Sequence, residues 1–384
     1  MDVSRNVRIL TAQGFLIGFS LWAPIAAIYY SAVSGSYALG LSVFSIAMVS
    51  SAVFEIPTGI FSDLIGRRYT TMLGGFFYTI AGILYAAGNE YWWLVVGAVS
   101  EGLARSFYSG NNDALLYDSL NKLGRSDDLA KHLGRIGALE QWALGMAALL
   151  GGMLAAVSLK LAMWLSVTPL ALCFVSSFWL VEIESTRSVR TGAWRHMRLA
   201  FRNFFTNKRL RLISLYDVIS FGLGESAFYF RNVFIATLWP MWAIGFARTL
   251  SNISAALSFE FSGKILRRFS AVRILISQRL YCLSANIIAL VFPTVASPVL
   301  MATNSLWFGL GVVAKKTLFQ DEFNDEQRAT MDSLNSLARS LFFGVASLAI
   351  GLVGDHFGVI AALLMAQALM VPTLWIIWRL GNRS

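Results

Sequence analysis

The feature that most constrains this chain is its series of twelve apolar runs. Each is about twenty residues long, the length an α-helix needs to cross the roughly 30 Å hydrocarbon core of a bilayer. They lie near 8–31, 39–58, 70–89, 93–116, 134–156, 160–181, 212–236, 241–262, 272–292, 298–318, 331–353 and 359–380. A strand in lipid leaves backbone N–H and C=O groups unpaired, so such runs are helices. The pattern predicts an all-α membrane protein with twelve transmembrane helices. Composition agrees: 57% of the 384 residues are hydrophobic and 14% are charged. A soluble domain of this size carries about a quarter charged residues. Trp92, Trp93, Trp239, Trp242, Trp375 and Trp378 fall near run ends, where amphipathic rings anchor at the lipid–water interface.

The net charge of +10 does not indicate nucleic acid. The basic residues sit in short clusters between apolar runs instead of forming one face, so the lipid bilayer and its anionic head groups are the expected partner. Counting connections alternately from an inner N-terminus places Arg67 and Arg68, Lys122 to Arg135, Arg187 to Arg211, Lys264 to Arg273, and Lys315, Lys316 and Arg328 on one side. With Arg5, Arg8, Arg379 and Arg383 near the chain ends, that is about twenty-five of the 31 basic residues, which predicts that both termini are cytoplasmic. Arg5 and Arg8 precede a first run long enough to span, and no cleavage pattern follows, so it reads as a retained helix, not a signal peptide. Cys173 and Cys282 lie inside apolar runs and suggest no disulfide framework.

The longest polar stretch, residues 182–211, divides the chain into an N-terminal six-helix bundle (1–181) and a C-terminal one (212–384). Its positive charge suggests a linker on the inner leaflet, either as an amphipathic helix or as a plain tether. The halves repeat weakly. Gly263 lies 263 − 59 = 204 residues after Gly59, but Arg267 stands where Asp63 stands and Ser270 where Gly66 stands.

Between the second and third runs the sequence reads Gly59-Ile-Phe-Ser-Asp63-Leu-Ile-Gly66-Arg67-Arg68, or G-x-x-x-D-x-x-G-R-R. The spacing predicts a tight charged turn. Its glycines permit positive φ, and Asp63 can cap the helix that follows or hold an arginine in place. This stretch resembles the signature that major facilitator superfamily transporters carry between their second and third helices. Glu55-Ile-Pro57-Thr58 resembles the E-x-P-T-G lead-in of many bacterial members. Ser109-Gly110-Asn-Asn-Asp113-Ala-Leu-Leu-Tyr117-Asp118 resembles the S-G-x-x-x-A-L-L-Y-D segment of the same members. The fifth run departs from the G-P-x-x-G-G pattern of drug antiporters, with alanine at the proline place in Ala147–Gly152.

The resemblance implies two pseudo-symmetric six-helix bundles around a central cavity. It also implies a gating motif formed by Glu55, Gly59, Asp63, Gly66, Arg67, Arg68 and Asp118, with Asp118 latching against the arginines. It places the first, fourth, seventh and tenth helices around the cavity. Charges inside membrane runs are costly and usually face a protein interior, so Glu101, Arg105 and Glu225 become the candidate substrate or proton site. Gln13, Tyr29, Asn304 and Trp307 are uncharged neighbours that better suit ordinary packing or an interfacial position. Glu101 and Arg105, four apart, share a helix face, either as a substrate site or as a self-neutralising pair. Glu225 has Arg231 six residues on, off its face, so no neighbour on its own helix holds its charge, and it is the expected proton carrier.

His132, His196 and His356 all fall in connecting segments without a second ligand at metal spacing. No P-loop, G-x-S-x-G or dinucleotide fingerprint is present, so no cofactor and no enzyme activity are expected. The function read from the resemblance is proton-coupled efflux of a small molecule by an antiporter in the bacterial cytoplasmic membrane, working as a monomer. The alternatives are uptake of a sugar or other small solute, or a superfamily-like sensor or scaffold that transports nothing.

Overall fold

A computed structural model describes residues 3–183, 207–320 and 325–381. Most of the expected linker, with His196 and its arginine run, lies outside the described residues. Those described are helical, with no strand among them. In chain order the helices are α1 (Ser4–Gly18), α2 (Ala26–Ser34), α3 (Tyr37–Ile65), α4 (Arg67–Ala87), α5 (Tyr91–Tyr108), α6 (Asn111–Lys122), α7 (Leu129–Val157), α8 (Leu159–Ser177), α9 (Lys208–Leu238), α10 (Met241–Leu266), α11 (Ala271–Val291), α12 (Ser297–Ala302), α13 (Phe308–Gln320), α14 (Asp325–Phe357), α15 (Val359–Met370) and α16 (Pro372–Gly381).

Every predicted run falls on helix, but several are broken. The first divides into α1 and α2 around Pro24, whose ring removes an N–H and disfavours helix at the preceding residue. The fourth divides into α5 and α6 at Gly110, which has φ +69°. The tenth passes through a 3₁₀ stretch, Thr303–Trp307, between α12 and α13. Among the described residues, eight helices are long and apolar enough to cross a membrane. The four runs that miss this measure are α1–α2, α5–α6, α9 and α10. All but the first carry the interior charges at issue: Glu101, Arg105, Asp217, Glu225, Arg231 and Arg248.

The chain forms two compact units. One comprises Met1–Gly35, Ser42–Val189 and Met241–Phe246; the other comprises Ser36–Leu41, Arg190–Pro240 and Ala247–Ser384. The first unit packs around Tyr29, Tyr30, Val43, Ala81, Tyr85, Leu94 and Met163. The second packs around Ile213, Tyr216, Leu275, Leu310, Ala314 and Ile377. Large apolar side chains such as Trp92, Trp142, Leu352 and Phe357 are exposed. In water such a surface invites aggregation; against acyl chains it is the ordinary exterior.

Within the second unit, Asp355 near the end of α14 caps the start of α3. Its carboxylate accepts from the backbone N–H of Tyr37 at 2.6 Å and of Ala38 at 3.1 Å, and from the Ser36 hydroxyl at 2.6 Å. A carboxylate suits the free N–H groups and positive dipole end of a helix.

Candidate functional site

The signature region is less of a turn than its spacing predicts. Helix α3 runs through Gly59 and Asp63 to Ile65, and α4 begins at Arg67. The break is one residue, Gly66, with φ +96° and ψ 155°. Asp63 thus lies within α3, before the break. The N-cap position belongs to Gly66, which has no capping side chain. The cap comes from Glu182, whose carboxylate accepts from the backbone N–H of Arg67 at 3.0 Å and of Arg68 at 2.9 Å. A Cβ on Gly66 would stand 2.7 Å from the Glu182 carboxyl carbon. Gly59 needs no such freedom: it is helical, and a Cβ there meets nothing within 4 Å. Glu55 is exposed on α3. Pro57 lies inside α3, and the Thr58 hydroxyl next to it donates to the Phe54 carbonyl at 2.8 Å and to the Ser106 carbonyl of α5 at 3.2 Å.

Arg67 is buried, and its Nη1 lies 3.2 Å from the Asp118 carboxylate of α6. Asn111, the first residue of α6, links the three helix ends. Its amide donates to the Arg67 carbonyl at 3.1 Å and to the Thr71 hydroxyl at 2.9 Å, while its oxygen accepts from Ser62 at 2.7 Å. Arg68 reaches the Phe178 carbonyl of α8 at 3.0 Å. These contacts all join elements of the first unit. Glu182 and Asn111 carried no signal as site residues: one stands at the edge of a polar linker, and the other is an ordinary polar residue until α6 is folded against α3 and α4.

Glu101 and Arg105 of α5 form an ion pair at 2.6 Å. The other carboxylate oxygen of Glu101 accepts from the Tyr85 hydroxyl at 2.7 Å. Tyr85 is fully buried on α4, with its ring against Tyr30 and Trp22 and its carbonyl accepting from the Tyr29 hydroxyl at 2.9 Å. It reaches Glu101 because α5 presents Gly97 one turn earlier, where a Cβ would stand 2.8 Å from the Tyr85 ring. The Glu101 carboxylate is thus held at both oxygens, with the Arg105 side chain partly exposed.

In the second unit, Glu225 of α9 makes no hydrogen bond or ion pair among the described residues. The cations acting on it most strongly are Arg248 of α10, Lys315 of α13 and Arg231 of its own helix. The reading that Glu225 lacks a charged neighbour holds along α9 alone; across helices it has two. Lys315, counted above as an inner-surface charge, instead pairs with the buried Asp217 of α9 at 2.7 Å. Arg339 of α14 lies 3.5 Å from the other Asp217 oxygen. Arg279 of α11 donates to Ser220 at 2.7 Å.

The uncharged candidates are occupied by packing. Gln13 is fully buried, and its amide donates to Ser176, Ser177 and the Cys173 carbonyl of α8. Asn304 donates to Asn286 at 2.6 Å, which in turn donates to Gln367. Trp307 lies against Tyr281. The second-half copy of the signature stands apart from the first. Arg267 is exposed and donates only to the Gly263 carbonyl on its own helix, while Ser270 is itself the N-cap of α11. No group of three His, Cys, Asp or Glu suited to a metal occurs among the described residues.

Over a stretch of 124 residues the chain is 29% identical to an uncharacterised transporter of Buchnera aphidicola, covering 32% of this chain and 30% of that protein. It is 25% identical over 180 residues to the inner membrane transport protein YajR of Escherichia coli, covering 47% of this chain and 35% of that protein. The aligned stretches therefore span about a third of the length of these relatives. The fold matches the crystal structure of a mutant of the nucleoside transporter NupG with a TM-score of 0.83, over 98% of this chain and 99% of that one, at 15% identity. The family profile described as Major Facilitator Superfamily matches residues 10–341. An all-helical membrane fold, an intact signature loop and a profile match across most of the chain lead to one conclusion: this protein belongs to the Major Facilitator Superfamily.

Proposed function

We propose that this protein is a secondary active transporter that moves a small molecule across a bacterial cytoplasmic membrane by alternating access, coupled to protons and working as an exporter. The observation that carries the coupling is Glu225, a carboxylate well inside a membrane-crossing helix with no hydrogen bond or ion pair among the described residues. A carboxylate with no fixed partner at that depth can load and release a proton within one cycle. Family membership and the likeness to the E-x-P-T-G and S-G-x-x-x-A-L-L-Y-D segments of bacterial efflux members support transport and export. Uptake differs only in direction, and the experiment below separates the two.

In this reading Gly59, Asp63, Gly66, Arg67, Arg68, Asp118 and Glu55 form the gating region at the inner surface. The contacts described there brace α3, α4 and α6 of one unit, so the region acts by keeping that unit stiff. Glu101 and Arg105 offer a polar contact to the solute. The protein works as a monomer with both termini in the cytoplasm.

The test is transport by purified protein in proteoliposomes with an imposed pH gradient, using a solute found by screening in the same vesicles. Wild-type protein is expected to accumulate or expel that solute in response to the gradient. Glu225→Gln is expected to lose gradient-driven movement yet retain solute exchange, because exchange needs no net proton transfer. Gradient-driven transport by Glu225→Gln at the wild-type rate removes Glu225 from the mechanism.

A further inference from the structure

The interior of the second unit carries more positive than negative charge. Away from their ends, its helices hold five buried or half-buried cations: Arg231, Arg248, Arg279, Lys315 and Arg339. Against them, among the described side chains, stand two buried or half-buried carboxylates, Asp217 and Glu225. Asp217 is taken by Lys315 and Arg339. Arg231, Arg248 and Arg279 have no carboxylate within ion-pair distance among the described residues.

Two of these cations share one ring. Phe228 lies three residues beyond Glu225, on the adjacent turn of α9. The guanidinium carbon of Arg231 is 4.9 Å from its ring centroid, and that of Arg248 is 3.9 Å away. Arg231 donates once, to the Met301 carbonyl at 2.9 Å, and its Nε is buried without a partner. Arg248 makes no hydrogen bond or ion pair among the described residues, and its Nη1 is buried without a partner. The two guanidiniums repel each other.

A guanidinium is a rigid fork of five donors suited to carboxylate or phosphate oxygens. Leaving such donors buried and unmade is costly, and an unpaired charge inside a membrane protein usually marks a ligand path. Free donor capacity and surplus charge of this kind are complementary to an anion, and the ring of Phe228 beside the forks adds an apolar contact.

We infer that Arg231, Arg248, Phe228 and Glu225 form the solute site and that the solute is an organic anion, with its oxyanion group on the two arginines and an apolar part against Phe228. This rests on the transporter reading but not on its direction. Glu225 competes with the anion for the same cations, so its protonation state bears on anion binding.

The probes are benzoate and benzyl phosphate, with benzamide and benzylamine as neutral and cationic controls of similar shape. Binding is read on the full chain in detergent as a saturable rise in thermal unfolding temperature. The two anions are expected to bind and the controls not. Arg248→Gln is expected to weaken anion binding at least ten-fold, Arg248→Lys less, and Glu225→Gln to strengthen it, because it removes the carboxylate that competes for the same cations. Without probe, Arg248→Gln is expected to unfold at the wild-type temperature or above, because it removes a buried charge with no ion pair among the described residues; a merely structural arginine would lower it. Equal binding of benzamide, no saturable effect of either anion, or undiminished anion binding in both Arg248→Gln and Arg231→Gln overturns the inference. Anion binding that depends on Arg248, without flux of any solute in vesicles, upholds the site and removes the transporter reading. Flux of a neutral solute without anion binding does the reverse.

Discussion

The side chain of Glu182 holds the backbone of Arg67: one carboxylate oxygen accepts its N–H at 3.0 Å, and the other accepts the next N–H at 2.9 Å. The best-marked arginines of the chain are therefore positioned first through their main chain. A helix begins with N–H groups that have no partner and a partial positive charge. Gly66 supplies neither a capping side chain nor a Cβ, which leaves room for a carboxylate 115 residues away in sequence. The guanidinium of Arg67 is then free to pair with Asp118.

This cap predicts two distinct losses. Glu182→Ala removes it and is expected to lower stability by about 1 kcal/mol, the usual worth of an N-cap. Gly66→Ala is expected to cost more, about 2–3 kcal/mol, because it adds a Cβ 2.7 Å from the Glu182 carboxyl carbon at φ +96°, a region costly for any residue but glycine. The double variant should recover the clash and keep the backbone strain. Thermal unfolding in detergent measures all three; a Gly66→Ala protein as stable as wild type would remove the role assigned to Gly66.

The Arg67–Asp118 pair predicts asymmetry between the two signature copies. Its side chains are 10% and 15% exposed, so removing one partner leaves a largely buried charge. Arg67→Ala and Asp118→Asn are each expected to cost about 3 kcal/mol and to slow transport sharply. Arg267→Ala is expected to change stability by less than about 0.5 kcal/mol, as exposed side chains do, since Arg267 bonds only to a carbonyl of its own helix. Comparable losses at Arg67 and Arg267 in unfolding and vesicle transport would show that the first copy has no special place.

Orientation is expected from the basic-residue asymmetry. A cysteine placed at Asn203, and a reporter fused after Arg383, should both report the cytoplasm. Labelling of the Asn203 cysteine by an impermeant reagent in intact cells would invert the topology.

The amino-acid sequence by itself determined the solvent, the secondary structure and the family. A bilayer imposes length and polarity on every segment crossing it, and those constraints act along one dimension, so they can be counted in the chain. The helix breaks at Pro24 and Gly110 were not read from the runs, although both residues act on their own backbone. Nor were the partners of charged groups. Helical spacing correctly joins Glu101 to Arg105, four residues apart, but it cannot see Tyr85 completing that carboxylate. It shows Arg231 off the face of Glu225 and misses Arg248, which arrives on the next helix. It counts Lys315 among surface charges, although α13 carries that side chain to Asp217, 98 residues away. It offers Asp63 as one possible cap of α4 and gives no sign of Glu182, which the fold brings to the Arg67 and Arg68 N–H groups. Spacing along a helix decides which residues share a face; only packing decides what that face meets. A charge in a low-dielectric interior is governed by what it meets within a few ångströms, so the tertiary structure decided the chemistry of the site.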